Sequence, residues 1–155
     1  QRGIAKEVTG RKHQAGDQIL IQTAERLVGL VRESDTVFRL GGDEFVVLLG
    51  GLHSPDEAAD VAQAIIAAVD QPFLVADQEI RLGISLGIAV WPDDSDDFAE
   101  LLKKADTALY QAKQEGRHTH RFYTDLMNAH SMERLHLESR LRQGLESGEL
   151  EIHYQ

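Results

Sequence analysis

Arg39-Leu40-Gly41-Gly42-Asp43-Glu44-Phe45-Val46-Val47-Leu48-Leu49 sets the fold of this chain. Two glycines and two carboxylates stand between apolar runs rich in Val and Leu. The runs predict strands over Thr36–Leu40 and Phe45–Leu49, with a tight turn between them. Glycine supplies positive φ in such a turn, and its missing side chain lets a ligand approach the backbone. Asp43 and Glu44 follow where the second strand begins. Backbone amides beside two carboxylates able to hold Mg²⁺ suit a nucleoside triphosphate. The same four residues also suit a plain hairpin turn with solvated acids, so the rest of the chain must discriminate.

Working upstream, Leu20, Ala24, Leu27, Val28 and Val31 recur at helical spacing and predict a helix from Gln14 to about Val31. Downstream, Ser54-Pro55-Asp56-Glu57 predicts a helix start, with Ser54 as N-cap, Pro55 in the first turn and Glu57 closing a capping box. That helix runs through Val61, Ile65, Ile66 and Val69 to Gln71-Pro72. Phe73–Val75 and Ile80–Val90 read as two more strands joined at Ala76–Glu79. Gly83 and Gly87 in the second predict a bulge or close packing against a helix. Pro92 ends it, and Asp93, Asp94, Asp96 and Asp97 read as a solvated loop. Asp97 with Glu100 opens a further helix, with Phe98, Leu101, Leu102, Ala105, Ala108, Leu109 and Ala112 apolar and Gly116 as its stop. Arg121–Tyr123 is a short strand. A charged helix then runs from Asp125 to about Glu146, and Glu149–Gln155 alternates as a strand does.

The elements predict an α+β sandwich, helices on a mainly antiparallel sheet. With 155 residues, 42% of them apolar, the chain can bury a core. No cysteine is present, which excludes disulfide scaffolds and thiolate metal sites. A net charge of −10 argues against a nucleic-acid surface. No apolar run approaches the roughly 20 residues of a membrane span. No signal peptide is visible, and Gln1 reads as a cut end.

Several separated motifs, in order, resemble the GGDEF family of diguanylate cyclases from about Ala5 to Phe122. They are Gly41-Gly42-Asp43-Glu44-Phe45, the upstream His13-Gln14-Ala15-Gly16-Asp17 as a helix start, Gly87–Val90 before Trp91-Pro92, and Ala105–Lys113 followed by Gly116-Arg117. The resemblance implies a nucleotidyl-cyclase, polymerase-palm-like fold. It implies condensation of two GTP to cyclic di-GMP with Mg²⁺ or Mn²⁺, in a bacterial homodimer. In that reading Gly41 and Gly42 admit the phosphates, Asp43 and Glu44 are catalytic and bind metal, and Asp17 binds the guanine edge. Lys113 and Arg117 grip the β- and γ-phosphates, and their spacing of four places both on one helix face. Without the resemblance the two cations read as a solvated helix end.

Arg32-Glu33-Ser34-Asp35 is similar to the family's inhibitory Arg-x-x-Asp site, where Arg32 and Asp35 would bind cyclic di-GMP. An exposed ion pair is the plain alternative. His118 and His120 could be imagined as a two-His metal site, but scattered histidines read as surface residues.

The chain also departs from the pattern. No acid precedes Lys6, so the first-strand Asp that completes the family's metal site is missing. Thr9 or Gly10 stands where an Asn would join Asp17 on guanine, and the segment to His13 is about one residue short. Expected boundaries are 1–123 for the domain, its N-terminal strand truncated or altered, 124–148 for a linker helix, and 149–155 for the start of an EAL domain, the family that hydrolyses cyclic di-GMP. The location expected is the cytoplasm, either as such or as the cytoplasmic part of a larger membrane-anchored sensor. The expected function is therefore a cyclase. The alternative is a catalytically degenerate module that binds GTP or cyclic di-GMP and regulates an attached EAL phosphodiesterase. A signalling interaction domain without a ligand is a third reading.

Overall fold

The computed structural model describes residues 2–127, with side chains described from Gln14. The elements run α1 (Arg2–Leu30), β1 (Thr36–Gly41), β2 (Glu44–Leu48), α2 (Pro55–Asp70), β3 (Phe73–Val75), β4 (Gln78–Ile80), β5 (Leu86–Ile88), α3 (Phe98–Gln114) and β6 (His120–Phe122). The α+β class holds, with the strands in three two-stranded sheets: β1–β2, β3–β4 and β5–β6. The described residues fall into two compact units. One runs to Leu86 and includes Ala112–His120; the other holds Gly87–Gln111 and the chain from Arg121.

In the first unit, α1 and α2 meet β3 around Leu27, Ile65, Val69 and Phe73, all buried. Val37, Phe45 and Val47 of the opening hairpin pack against this cluster. Arg26 ties it together. Its guanidinium lies 3.8 Å from the Phe73 ring centroid. Nη1 donates to Ala68 O at 2.8 Å and Gln71 O at 2.6 Å, and Nη2 to Pro72 O at 2.6 Å. The last carbonyls of a helix have no partner within it, and a cation there also meets the negative end of the helix dipole.

Several sequence expectations change. The backbone is already helical at Arg2 and stays so to Leu30, so His13–Asp17 lies within α1 and does not start a helix. No proline interrupts this stretch, and an internal glycine such as Gly16 costs only about 1 kcal/mol of helix propensity. Ser54 is the N-cap of α2, but its side chain makes no capping bond. Glu57 Oε1 reaches past Ser54 to accept from His53 N–H at 3.3 Å, so the capping box does not form.

The expected strand Ile80–Val90 divides into β4 and β5. The β3–β4 turn narrows to Ala76 and Asp77, at φ 49 and 61, the backbone of a two-residue hairpin turn. β5 pairs with β6 in the parallel sense. Leu86 N–H donates to Thr119 O at 2.9 Å, and Tyr123 N–H to Ile88 O at 2.7 Å.

In the second unit, Gly87 lies against α3: a Cβ there would run into the backbone of Ala105 and Leu109. Asp97 Oδ1 accepts from Glu100 N–H at 2.9 Å and caps α3 as expected. Asp94 is more than a solvated acid, since its Oδ2 accepts from Val90 N–H at 2.6 Å and its carbonyl accepts from Lys104 Nζ at 2.6 Å. Phe98, expected on the apolar face, is half exposed. The linker helix beyond Met127 and the strand at 149–155 lie outside the described residues.

Candidate functional site

The signature forms the tip of the β1–β2 hairpin. Phe38 pairs with Val46, Arg39 with Phe45 and Gly41 with Glu44, and the register shifts between Arg39 and Gly41. Gly42 holds φ 54, a left-handed backbone that costs a side-chain-bearing residue roughly 1 kcal/mol or more. Asp43 completes the turn and Glu44 opens β2; all four residues from Gly41 to Glu44 are exposed. Arg39 fixes this tip, donating from Nε and Nη2 to Gly42 O at 2.8 and 2.6 Å. Its planar fork thereby sets the orientation of the peptide that leads into Asp43. Sequence reasoning missed Arg39. The available signal was an arginine three residues before a glycine turn.

Between α1 and the hairpin lies a cleft of about 500 Å³, lined by Asp17, Leu20 and Ala24 on one side and Val37, Arg39 and Phe45 on the other. The structure thus brings Asp17 to the hairpin. Apolar walls with one carboxylate and one guanidinium suit a flat heteroaromatic ring with hydrogen-bonding edges. Gly41–Glu44 stand outside this lining, as do Lys113 and Arg117. Those two cations are exposed at the end of α3 and do not share a helix face. α3 stops at Gln114, Gly116 takes φ 112 and Arg117 takes φ 63. Arg117 N–H reaches back to Ala112 O at 3.2 Å. Gly116 acts as the expected stop, and that stop moves Arg117 off the helix.

Arg32 and Asp35 stand in the turn just before β1. Asp35 is committed to the backbone, Oδ2 accepting from Arg32 N–H at 2.9 Å and Oδ1 from Gly50 N–H at 3.0 Å. These two amides, Gly50 first, hold its carboxyl below the usual aspartate range. Arg32 Nη2 lies 3.7 Å from Glu57 Oε2. Among the described residues no group of three or more His, Cys, Asp or Glu side chains converges on a metal geometry. His118 Nε2 lies 3.8 Å from Asp70 Oδ1, and His120 Nδ1 lies 3.4 Å from Gln63 Nε2. Each histidine thus has its own surface neighbour.

Residues 11–119 match the family profile described as "Diguanylate cyclase, GGDEF domain". The chain belongs to the GGDEF family. This GGDEF domain is 43% identical over 143 residues to the bifunctional diguanylate cyclase/cyclic di-GMP phosphodiesterase MucR of Pseudomonas aeruginosa, covering 92% of this chain and 21% of that protein. The solved GGDEF domain of TpbB from Pseudomonas aeruginosa superposes with a TM-score of 0.76 at 40% identity, over 82% of this chain and 75% of that one. DgcB from Caulobacter crescentus, solved as its coiled coil and GGDEF domain in complex with cyclic di-GMP, gives 0.58 at 25% identity over 72% of this chain and 58% of that one. The fold is therefore the cyclase, palm-like fold of solved GGDEF domains. The chain spans about a fifth of the curated relative MucR. Among the described residues no helix is long and apolar enough to cross a membrane.

Proposed function

We propose that this GGDEF domain is a diguanylate cyclase domain, condensing two GTP into cyclic di-GMP. The observation that carries the proposal is the hairpin tip. Exposed Asp43 and Glu44 follow a glycine turn pinned by Arg39, next to a cleft that holds Asp17. In the reaction each 3′-oxygen bonds to the α-phosphorus of the other nucleotide, and the bond to pyrophosphate breaks. Asp17 would bind the guanine edge from the cleft. Gly41 and Gly42, without side chains, would let the phosphates approach the backbone. Asp43 would accept the proton of the attacking hydroxyl.

Lys113 and Arg117 would hold the β- and γ-phosphates from the end of α3 as two separate point contacts. Mg²⁺ sites typically use one or two carboxylates plus substrate phosphates, so Asp43 and Glu44 fit that donor set. When bound, Mg²⁺ or Mn²⁺ would neutralise charge on the transferring phosphoryl group. The two-fold product calls for two chains facing each other. The proposed location is the cytoplasm, where GTP would be available.

Arg32 and Asp35 form the product site in this proposal. Asp35 is held by two amides, and the exposed Arg32 guanidinium would fork onto an anion. Residues 1–123 would be the GGDEF domain, 124–148 a linker and 149–155 the entry to an EAL domain, a reading supported by similarity to a protein named as bifunctional.

Incubation with GTP and Mg²⁺ should yield cyclic di-GMP, and Asp43→Ala should abolish it. No product from the full parent protein would sink the cyclase reading. A regulatory module that binds GTP or cyclic di-GMP without turnover is the second reading, motivated by the departures from the family pattern before His13. Calorimetry that detects neither nucleotide would rule that module out.

A further inference from the structure

Glu57 is the unexpected neighbour of the product site. It sits on the first turn of α2, and its two oxygens are treated differently. Oε1 accepts from His53 N–H at 3.3 Å. Oε2 is buried and has no hydrogen-bond partner. A buried carboxylate oxygen without a donor is costly, and the cation facing it is Arg32, with Nη2 at 3.7 Å. That distance is an ion pair without a hydrogen bond, and the Arg32 side chain remains 64% exposed. Arg32 is therefore attracted to Glu57 but not locked there. Asp35 also attracts Arg32 through its charge, while both of its oxygens accept backbone amides.

We propose that Glu57 competes with ligand phosphate for Arg32, and so sets how weakly the Arg32–Asp35 site holds a cyclic dinucleotide. The proposal rests on the reading of Arg32 and Asp35 as a product site. Phosphate oxygens arriving at Arg32 must draw the guanidinium away from Glu57 and leave Oε2 with no counter-charge. Glu57 is a positioning residue here, acting through Arg32 and not through the ligand.

The test is calorimetry with cyclic di-GMP on the full chain as wild type, Glu57→Gln, Arg32→Ala and the double variant. Gln keeps an oxygen for His53 N–H while removing the charge. Binding by Glu57→Gln should tighten about two- to fivefold, the scale of an exposed ion pair. A gain of affinity is not what a damaged fold would give. Arg32→Ala should lose binding, and adding Glu57→Gln to it should restore none. If Glu57→Gln melts early, Glu57→Ser, which also removes the charge, should show the same tightening. Unchanged or weaker binding by the Glu57 variants, with Arg32→Ala still defective, overturns the competitor role and leaves the product site standing. Wild type that does not bind, or Arg32→Ala that binds like wild type, overturns the product site and the competitor with it.

Discussion

Arg26 and Arg39 do the same thing in two different places. Each is an arginine whose fork holds backbone carbonyls. Arg26 reaches three carbonyls, 42 to 46 residues away in sequence, and lies over the buried ring of Phe73. Arg39 reaches one carbonyl, three residues away, on an exposed turn. The first joins two helices and a strand through three carbonyls and one fully buried ring, so losing it costs packing as well as hydrogen bonds. The second shapes a turn whose carboxylates face solvent, so losing it frees a peptide that water can satisfy. Stability is concentrated in the Arg26 region, and the groups that could meet a nucleotide are concentrated at the Arg39 turn.

Asp43→Ala should break this contrast most visibly. Product formation should fall about a hundredfold or more, the scale of losing one preorganised charged group. Urea unfolding should move by no more than about 0.5 kcal/mol, as for other surface changes. A large stability loss would mean that the turn is structural as well.

Phe73→Ala should cost about 3–5 kcal/mol by denaturant unfolding, because the ring is fully buried. Arg26→Met keeps much of the apolar stem but leaves the carbonyls of Ala68, Gln71 and Pro72 without their donor. A loss of about 2–3 kcal/mol is expected, read as a lower urea midpoint at unchanged slope. Gly42→Ala should cost about 1 kcal/mol for the left-handed φ, with a larger relative effect on product formation than on stability.

The smallest effect concerns Asp35. Its carboxyl is held below the usual range, so the folded state binds that proton less readily than the unfolded chain. The resulting stability is present above the unfolded value of about 3.9 and disappears as pH falls through the lower folded value. Asp35→Asn should therefore cost up to about 1 kcal/mol at pH 6, a modest figure for a partly exposed group. Paired urea titrations should show the gap between wild type and variant closing near pH 3. A gap that persists there would mean that the amide bonds do not depend on the charge.

What could be read in advance follows range. The hairpin, the ends of α2 and the glycine stop of α3 were legible because the deciding residues are neighbours. Glu57 was misassigned by one residue: the sequence marks a helix start but does not say which amide the carboxylate will choose. Ile80–Val90 looked continuous because apolar content alone does not show where a strand leaves its partner. The long α1 was hidden because His13–Asp17 matches a familiar helix start. Arg117 was placed on a helix face although Gly116, already identified as the stop, precedes it.

The sequence by itself determined the family, the α+β class and the GGDEF turn, since these depend on residue types at short, ordered spacings. It also shows no acid among Gln1–Ala5. Only the tertiary structure decided that Arg26 fastens α2 to α1, that Asp17 shares a cleft with Arg39, and that Arg32 faces Glu57. Each of these joins residues far apart in the chain. Such pairs form only when packing brings distant segments of the chain side by side.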